Sequence, residues 1–190
     1  MMIEESVRKL IGFCSDQEYK GYDPFDGLNS KLFKYSGLSK FYFFRLFWVQ
    51  LFKRNPINIR RFVGIEKEYN SKGLGLFLSS YCNLYKIEPG KDYLKKINFF
   101  IEQLLKLEVK GYSGSCWGYN FDWQARAFFQ PKNTPTVVAS TFIGYALLDA
   151  YDIIRDQMLL EKARSICDFI IKDLNRTYDK LGIFVSHILH

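Results

Sequence analysis

The chain alternates between helical segments that are apolar on one side and segments that are apolar almost all round. Apolar residues at helical spacing predict one-sided helices over residues 3–14, 91–108 and 157–174. Segments 38–52, 72–85 and 135–154 are apolar on nearly every side, which predicts helices buried on most sides. Asn55 and Pro56 predict the start of a short helix over 57–62. Thr134 with Pro135, and Asp156, predict the starts of the last two long helices.

The connections between these predicted helices fall into two length classes. Connections 53–55, 87–90 and 155–156 are short, whereas 15–37, 63–71 and 109–134 are long. Because successive helices run antiparallel, the long connections should gather at one end, where binding residues commonly lie. The predicted fold class is therefore all-α, with two layers of antiparallel helical hairpins in a single domain over residues 1–190.

The long connection over residues 111–135, GYSGSCWGYNFDWQARAFFQPKNTP, is rich in aromatic and hydrogen-bonding side chains. Long loops in compact domains are usually functional or disordered, and the aromatic content argues against disorder. Flat rings beside polar groups suit a sugar, although the rings could instead fill the interior. The candidate substrate-binding residues are Trp117, Tyr119, Trp123, Gln124 and Arg126.

Three aspartates are candidate catalytic residues: Asp122 on this connection, and Asp26 and Asp23 on connection 15–37. We expect segments 22–33 and 117–126 to lie at the same end of the fold, so all three aspartates should emerge there. Glycoside hydrolysis uses a pair of carboxylates. Asp23 and Asp26 also fit ordinary turns, because proline and glycine follow them. Asp122 could pair with Arg126, which could otherwise bind the carboxylate or phosphate of an acidic or nucleotide sugar.

Composition limits the kinds of partner. The 190 residues carry a net charge of +7, but the bases are scattered among acids except for Lys53, Arg54, Arg60 and Arg61. This pattern favours a solvated basic face, and we expect no nucleic acid partner. We expect no membrane span, and the acidic N-terminus predicts a cytoplasmic protein. Segment 38–52 is not expected on a membrane surface, since Arg45 interrupts it and it lacks a strongly polar face.

The cysteines and histidines suggest no metal or other cofactor. No CxxC pair is present, so the cysteines are interpreted as small and mostly buried residues. They are Cys14, Cys82, Cys116 and Cys167. The two histidines, His187 and His190, are confined to the last four positions, where an HxxH pattern is weak evidence for a metal site.

Three phrases resemble α/α toroid proteins: GYDPFDGLNSKLF (21–33), NSKGLGLFLSSYCNLY (70–85) and WGYNFDWQARAFFQPKNTPTVVASTF (117–142). The likeness covers most of the chain and points to an uncharacterised prokaryotic group linked to cell-surface polysaccharide production. Six-hairpin glycosidases, several polysaccharide lyases and the N-acylglucosamine 2-epimerase group share this architecture. The resemblance implies half of an (α/α)6 toroid, incomplete at its C-terminus, with residues 177–190 forming a connection.

The resemblance also implies a carbohydrate-active or carbohydrate-binding function on an oligosaccharide or activated sugar. An enzyme of this kind would be glycosidase-, lyase- or epimerase-like. The competing interpretation is a non-catalytic helical interaction protein that uses the same face or its open edges. A half toroid would expose apolar edges, so we also expect a homo-oligomer or a partner chain that completes the ring.

Overall fold

The computed structural model describes residues 2–186, and 60% of the chain is helical, which confirms the all-α class. The α-helices are α1 (Met2–Asp16), α2 (Lys31–Tyr35), α3 (Tyr42–Arg54), α4 (Ser71–Ile87), α5 (Lys91–Lys106), α6 (Val137–Ile154) and α7 (Gln157–Lys172). Short 3-10 helices cover Asp26–Asn29, Leu38–Lys40 and Arg60–Val63. Two antiparallel ribbons pair β1 (Trp123–Gln124) with β2 (Phe129–Gln130), and β3 (Arg176–Asp179) with β4 (Gly182–Val185).

The described residues form two compact units, and the single domain expected over residues 1–190 stays a prediction. The first unit contains the residues up to Asn70 together with Asn120–Pro131. The second contains Ser71–Tyr119 and the described residues from Lys132 onward. The chain therefore leaves the first unit after Asn70 and returns to it for the β1–β2 ribbon.

The core of the first unit forms where α3 packs against the 3-10 helix Asp26–Asn29. The ring of Trp48 stacks on that of Phe33, with centroids 4.8 Å apart, and its indole N–H donates to the carbonyl of Gly27 at 3.0 Å. Ser30 begins α2, since its hydroxyl accepts from the N–H of Phe33 and donates to the carbonyl of Val63. The sequence predicted a long loop over 15–37, but this segment contains α2 and the 3-10 helix Asp26–Asn29, and both have buried residues.

In the second unit, the two predominantly apolar helices α4 and α6 pack against each other, and each also packs against the helix that follows it. Gly75 permits this close approach, because a Cβ atom there would lie 3.1 Å from Cγ1 of Ile143. The buried side chains of this unit include Leu74, Leu78, Ile97, Phe100, Leu104, Ile143, Leu147, Leu159 and Phe169.

The sequence predicted the bounds of most long helices better than it predicted the residues that cap them. Helices α1, α4, α5 and α7 lie within about two residues of the predicted segments. Thr136, rather than Thr134, caps α6 by accepting from the N–H of Ala139 at 3.1 Å. Pro135 instead pairs with Gly118 in an isolated bridge, so the chain is still extended there.

Two further segments differ from the predictions. The side chain of Asn55 accepts only from the N–H of Ile57, and the short helix begins later, at Arg60. The segment predicted as a connection over 177–190 instead contributes most of the β3–β4 hairpin, up to Val185. The last four residues of that segment lie outside the described part of the chain.

The prediction that helix 38–52 is buried on most sides is wrong. In α3 only Val49 and Phe52 are buried. Its main contacts are with the 3-10 helices Asp26–Asn29 and Leu38–Lys40 and with β1, and about half of its residues are exposed. An apolar pattern indicates which side chains avoid water, but it does not supply the neighbours that would cover them.

Helix α6 is long and apolar enough to cross a membrane by length and composition alone. Because 39% of the residues in this window are buried and the helix packs against α4 and α7, a core helix explains the same composition. One side remains uncovered, however, and exposes Val138, Phe142, Tyr145 and Leu148.

Candidate functional site

Trp117 lies in the core of the second unit and is fully buried. Its indole N–H donates to the carbonyl of Leu104 at 2.8 Å, and its backbone N–H donates to the hydroxyl of Ser140 at 3.0 Å. A ring held in this way fills the interior and has no face free for a ligand. Tyr119 is half-buried in the same unit, where its carbonyl accepts from the N–H of Asn133 at 2.8 Å.

Asp26 and Asp23 form a tight turn in the first unit. The buried carboxylate of Asp26 accepts from Nε of Arg60 at 2.8 Å and from the N–H of Asp23 at 3.0 Å. The carboxylate of Asp23 accepts from the N–H of Phe25 at 2.9 Å. Burial raises the pKa of both carboxyl groups, although Arg60 opposes the rise. These contacts favour the turn interpretation over a catalytic pair.

The side chain of Gln124 is buried and organises the β1–β2 ribbon. Its amide N–H₂ donates to the carbonyls of Ala125 at 2.7 Å and Phe128 at 3.0 Å. Its amide oxygen accepts from Nε of Arg45 at 2.7 Å, and the guanidinium of Arg45 lies 4.6 Å from the ring centre of Phe129. Because these contacts use both the donor and the acceptor of the amide, the side chain of Gln124 holds the ribbon together rather than facing a ligand.

The remaining candidates belong to the first unit, where they are partly or fully exposed at the β1–β2 ribbon. Asp122 pairs with Lys34 at 3.3 Å rather than with Arg126. Trp123 is half-buried, and its ring makes a tilted contact with Phe25 at 5.9 Å. Arg126 is exposed, and its backbone carbonyl accepts from the hydroxyl of Tyr42 at 2.9 Å. We call this surface, formed by Lys34, Asp122, Trp123 and Arg126, the ribbon surface.

Parts of segments 22–33 and 120–126 contact each other within the first unit, while the expectation that 22–33 and 117–126 share one end of a two-layer fold stays a prediction. The side-chain amide of Asn29 donates to the carbonyl of Asn120 at 2.8 Å, and Phe25 contacts Trp123. Sequence reasoning missed Lys34, which lies in a helix that was not predicted. It treated Arg45 only as an interruption of an apolar helix, and nothing local in the sequence indicated that it would reach Gln124.

A separate groove lies between α6 and α7 in the second unit. Its volume is about 570 Å³, within the usual range for small-molecule sites. The apolar side chains of Tyr145, Leu148, Leu160 and Ile170 line it, and Arg164 adds a positive charge. A smaller pocket of about 290 Å³ adjoins Tyr145 on the uncovered side of α6. The groove is thus part of the exposed apolar side of these two helices.

Within residues 2–186, no group of three or more histidine, cysteine or acidic side chains is placed to hold a metal ion. His187 and His190 lie outside the described residues, so the interpretation of the terminal HxxH pattern stays a prediction.

Comparison of the chain with protein-family models, with curated proteins and with solved structures found no match. The resemblance to α/α toroid proteins therefore stays a prediction that depends on the three phrases quoted above.

Proposed function

We propose that this protein binds carbohydrate in polysaccharide metabolism and that its ligand contacts the ribbon surface. The observation that supports this proposal is that the half-exposed Trp123, the exposed Arg126 and Asp122, which pairs with Lys34, lie within five residues of the chain at the β1–β2 ribbon. An indole ring offers an apolar face to the C–H groups of a sugar ring. The adjacent carboxylate, ammonium and guanidinium groups supply acceptors and donors for its hydroxyl groups.

Binding is the form of carbohydrate activity that the contacts favour. Glycoside hydrolysis usually needs two carboxyl groups on opposite sides of the scissile bond. Asp26 is buried against Arg60, and Asp23 holds a turn, so Asp122 is the only one of the three candidates on the ribbon surface. We therefore assign Asp122 the role of a hydrogen-bond acceptor for the sugar.

An acidic or nucleotide-linked sugar fits the charges of this surface. Lys34 and Arg126 provide two positive charges against the single negative charge of Asp122. The whole chain adds a net charge of +7, which attracts anions over a longer range. Arg126 has an exposed guanidinium, which can bind a carboxylate or a phosphate through two parallel hydrogen bonds.

We propose further that the chain has the arrangement of half an (α/α)6 toroid. The pairing of α4 with α5 and of α6 with α7, together with the contact between α4 and α6, supports this arrangement for the second unit. The uncovered side of α6 supports it as well, because a further hairpin would cover that side in a complete ring.

The three tryptophan indole N–H groups provide a direct test of sugar binding by NMR spectroscopy. Trp48 and Trp117 donate to backbone carbonyls, whereas Trp123 lies on the ribbon surface. We expect an oligogalacturonate or uridine diphosphate glucose to shift the indole resonance of Trp123 and to leave the other two in place. A neutral maltooligosaccharide should have a weaker effect.

The variant Trp123→Ala separates binding from folding. We expect this variant to lose oligosaccharide binding while its helical circular dichroism stays near that of the wild type, because Trp123 is only half-buried. Loss of both the helical signal and the binding would show that the residue has a core role. If the wild-type protein binds none of these sugars, carbohydrate recognition at this surface is refuted.

A second candidate function is that of a non-catalytic interaction protein, and the exposed side of α6 with its adjoining groove favours it. Apolar surface of this kind is commonly covered by another chain, which here could complete the toroid. Sedimentation at micromolar concentration should then show an oligomer or a complex that Tyr145→Lys and Leu148→Lys dissociate. A wild-type monomer that binds no apolar dye would contradict this candidate function.

A further inference from the structure

The exposed side of α3 carries an unusual concentration of aromatic rings. Phe43 is 71% exposed and Phe47 is 58% exposed. Phe44 contacts the rings of Phe41 and Phe43 at 6.2 and 6.3 Å, so the rings form a connected cluster. We call this cluster the α3 surface; its members are Phe41, Tyr42, Phe43, Phe44 and Phe47. Exposed aromatic clusters of this kind mark interaction sites in soluble proteins.

Arg45 does not interrupt the α3 surface, although it lies in the middle of that sequence. Its guanidinium donates to Gln124 and to the carbonyls of Ser39 and Lys40, and it lies over the ring of Phe129. The charge is therefore satisfied on the side of α3 that packs against the β1–β2 ribbon. This position removes one of the two objections that the sequence raised against contact of the helix with a membrane, namely the interruption by Arg45.

The charged residues that surround α3 in the sequence are all basic. No aspartate or glutamate occurs from Gly27 to Ile65, while eight lysines and arginines do. These are Lys31, Lys34, Lys40, Arg45, Lys53, Arg54, Arg60 and Arg61. Among the described residues, Lys40 at the start of α3 and Lys53 and Arg54 in its last turn form no ion pair with a carboxylate. Both ends of α3 therefore carry positive charge that no carboxylate in the described part of the chain compensates.

We propose that the α3 surface binds the interfacial region of a bilayer that contains anionic phospholipid. Aromatic side chains partition favourably into the boundary between headgroups and acyl chains. Lys40, Lys53 and Arg54 would contact the anionic headgroups, and each would add a favourable electrostatic contribution to the free energy of binding. With 13 residues, α3 is too short to span the hydrocarbon core, so the helix lies on the surface of the bilayer.

Charge also distinguishes the bilayer from other occupants of this surface. If a second copy of the chain covered the α3 surface with its own, the unpaired bases of both copies would come together and repel. Nucleic acid needs bases spaced along the binding surface to neutralise successive phosphates. Here the rings form the centre and the bases lie at the two ends, which is the arrangement that suits an anionic lipid surface.

The proposal is tested by co-sedimentation of the full chain with lipid vesicles. We expect binding to vesicles of phosphatidylcholine and phosphatidylglycerol in equal parts, and weaker binding to phosphatidylcholine alone. Added salt should weaken the binding to the anionic vesicles. The double variant Phe43→Ser/Phe47→Ser should reduce vesicle affinity by about tenfold or more for each ring.

A matched control and a second variant separate lipid binding from folding. Tyr178→Ser removes a ring that is 70% exposed in β3, outside both the α3 surface and the exposed side of α6, and should leave vesicle affinity unchanged. Lys40→Gln/Arg54→Gln keeps every ring and should lower affinity for anionic vesicles by about fivefold for each base. It should not change the weaker binding to phosphatidylcholine alone.

Several results would overturn the proposal. The first is a wild-type protein that does not sediment with anionic vesicles, and the second is equal loss of binding in Tyr178→Ser. Sedimentation velocity that shows a wild-type oligomer, dissociated by Phe43→Ser/Phe47→Ser, would assign the α3 surface to a second copy. Binding of a single-stranded oligonucleotide that depends on the same rings would assign it to nucleic acid. Each readout is independent of sugar binding at the ribbon surface.

Discussion

Replacing Asp26 by asparagine tests whether this carboxylate supports the fold. In the structure it accepts from Nε of Arg60 at 2.8 and 3.1 Å and from the N–H of Asp23 at 3.0 Å. The side chain of Asp26 is 4% exposed and that of Arg60 is 13% exposed, so water replaces little of this interaction. Asparagine keeps the shape but removes the charge and offers one acceptor where the carboxylate offered two.

The expected loss of stability follows from the burial of the pair. Removing one partner of a buried ion pair costs about 3–5 kcal/mol, because the other charge stays buried without compensation. Asparagine retains one acceptor, so we expect Asp26→Asn to cost about 3 kcal/mol, near the lower limit. Asp122→Asn is the matched control, since Asp122 and Lys34 are more exposed and such pairs contribute about 0–1 kcal/mol.

Urea unfolding followed by circular dichroism and tryptophan fluorescence measures both variants. The double variant Asp26→Asn/Arg60→Met should recover part of the loss, because it removes the uncompensated guanidinium as well. A free energy of unfolding for Asp26→Asn within about 1 kcal/mol of the wild type would refute the argument.

Three further predictions concern other parts of the chain. Burial opposes ionisation of Glu108, but hydrogen bonds from two lysines and a serine lower its pKa below the ordinary value of 4.5. Glu108→Gln should therefore destabilise the protein at neutral pH, and its difference from the wild type in urea unfolding should shrink as the pH falls below 4.5. Burial raises the pKa of Cys82 and Cys116 to about 12, so a thiol reagent at mildly alkaline pH should label the exposed Cys167 in the native protein and these two only after unfolding. Gly118→Ala would place a Cβ atom 2.3 Å from a backbone carbonyl oxygen and should cost about 3 kcal/mol or more in thermal unfolding.

The sequence could predict the one-sided helices because their apolar spacing and their capping residues are both local features of the chain. In α7, Leu159, Ile166 and Phe169 are buried at helical spacing, and the carboxylate of Asp156 accepts from the N–H of Met158 as a cap. Spacing and capping depend on residues that are close in the chain. Such features form in the same way whatever the rest of the fold does, so a sequence pattern is sufficient to find them.

The candidate site was less predictable, because contacts with residues distant in the chain decide which of its side chains are buried and which are exposed. Trp117 and Trp123 lie six positions apart in one loop, yet Trp117 is fully buried beside Leu104 and Trp123 is half-exposed. No local feature distinguishes the two rings. Asp122 likewise forms an ion pair with Lys34 of α2, 88 positions away in the chain, and not one that local spacing would indicate.

The sequence alone determined the helical class, the position of most helices and the loop that carries the ribbon surface. Tertiary structure decided which apolar sides are covered: it left the rings of α3 in water, turned Arg45 toward Gln124 and placed Asp26 against Arg60. The physical reason is that side-chain periodicity is set by local backbone geometry. Burial and charge pairing depend instead on which distant segments become neighbours.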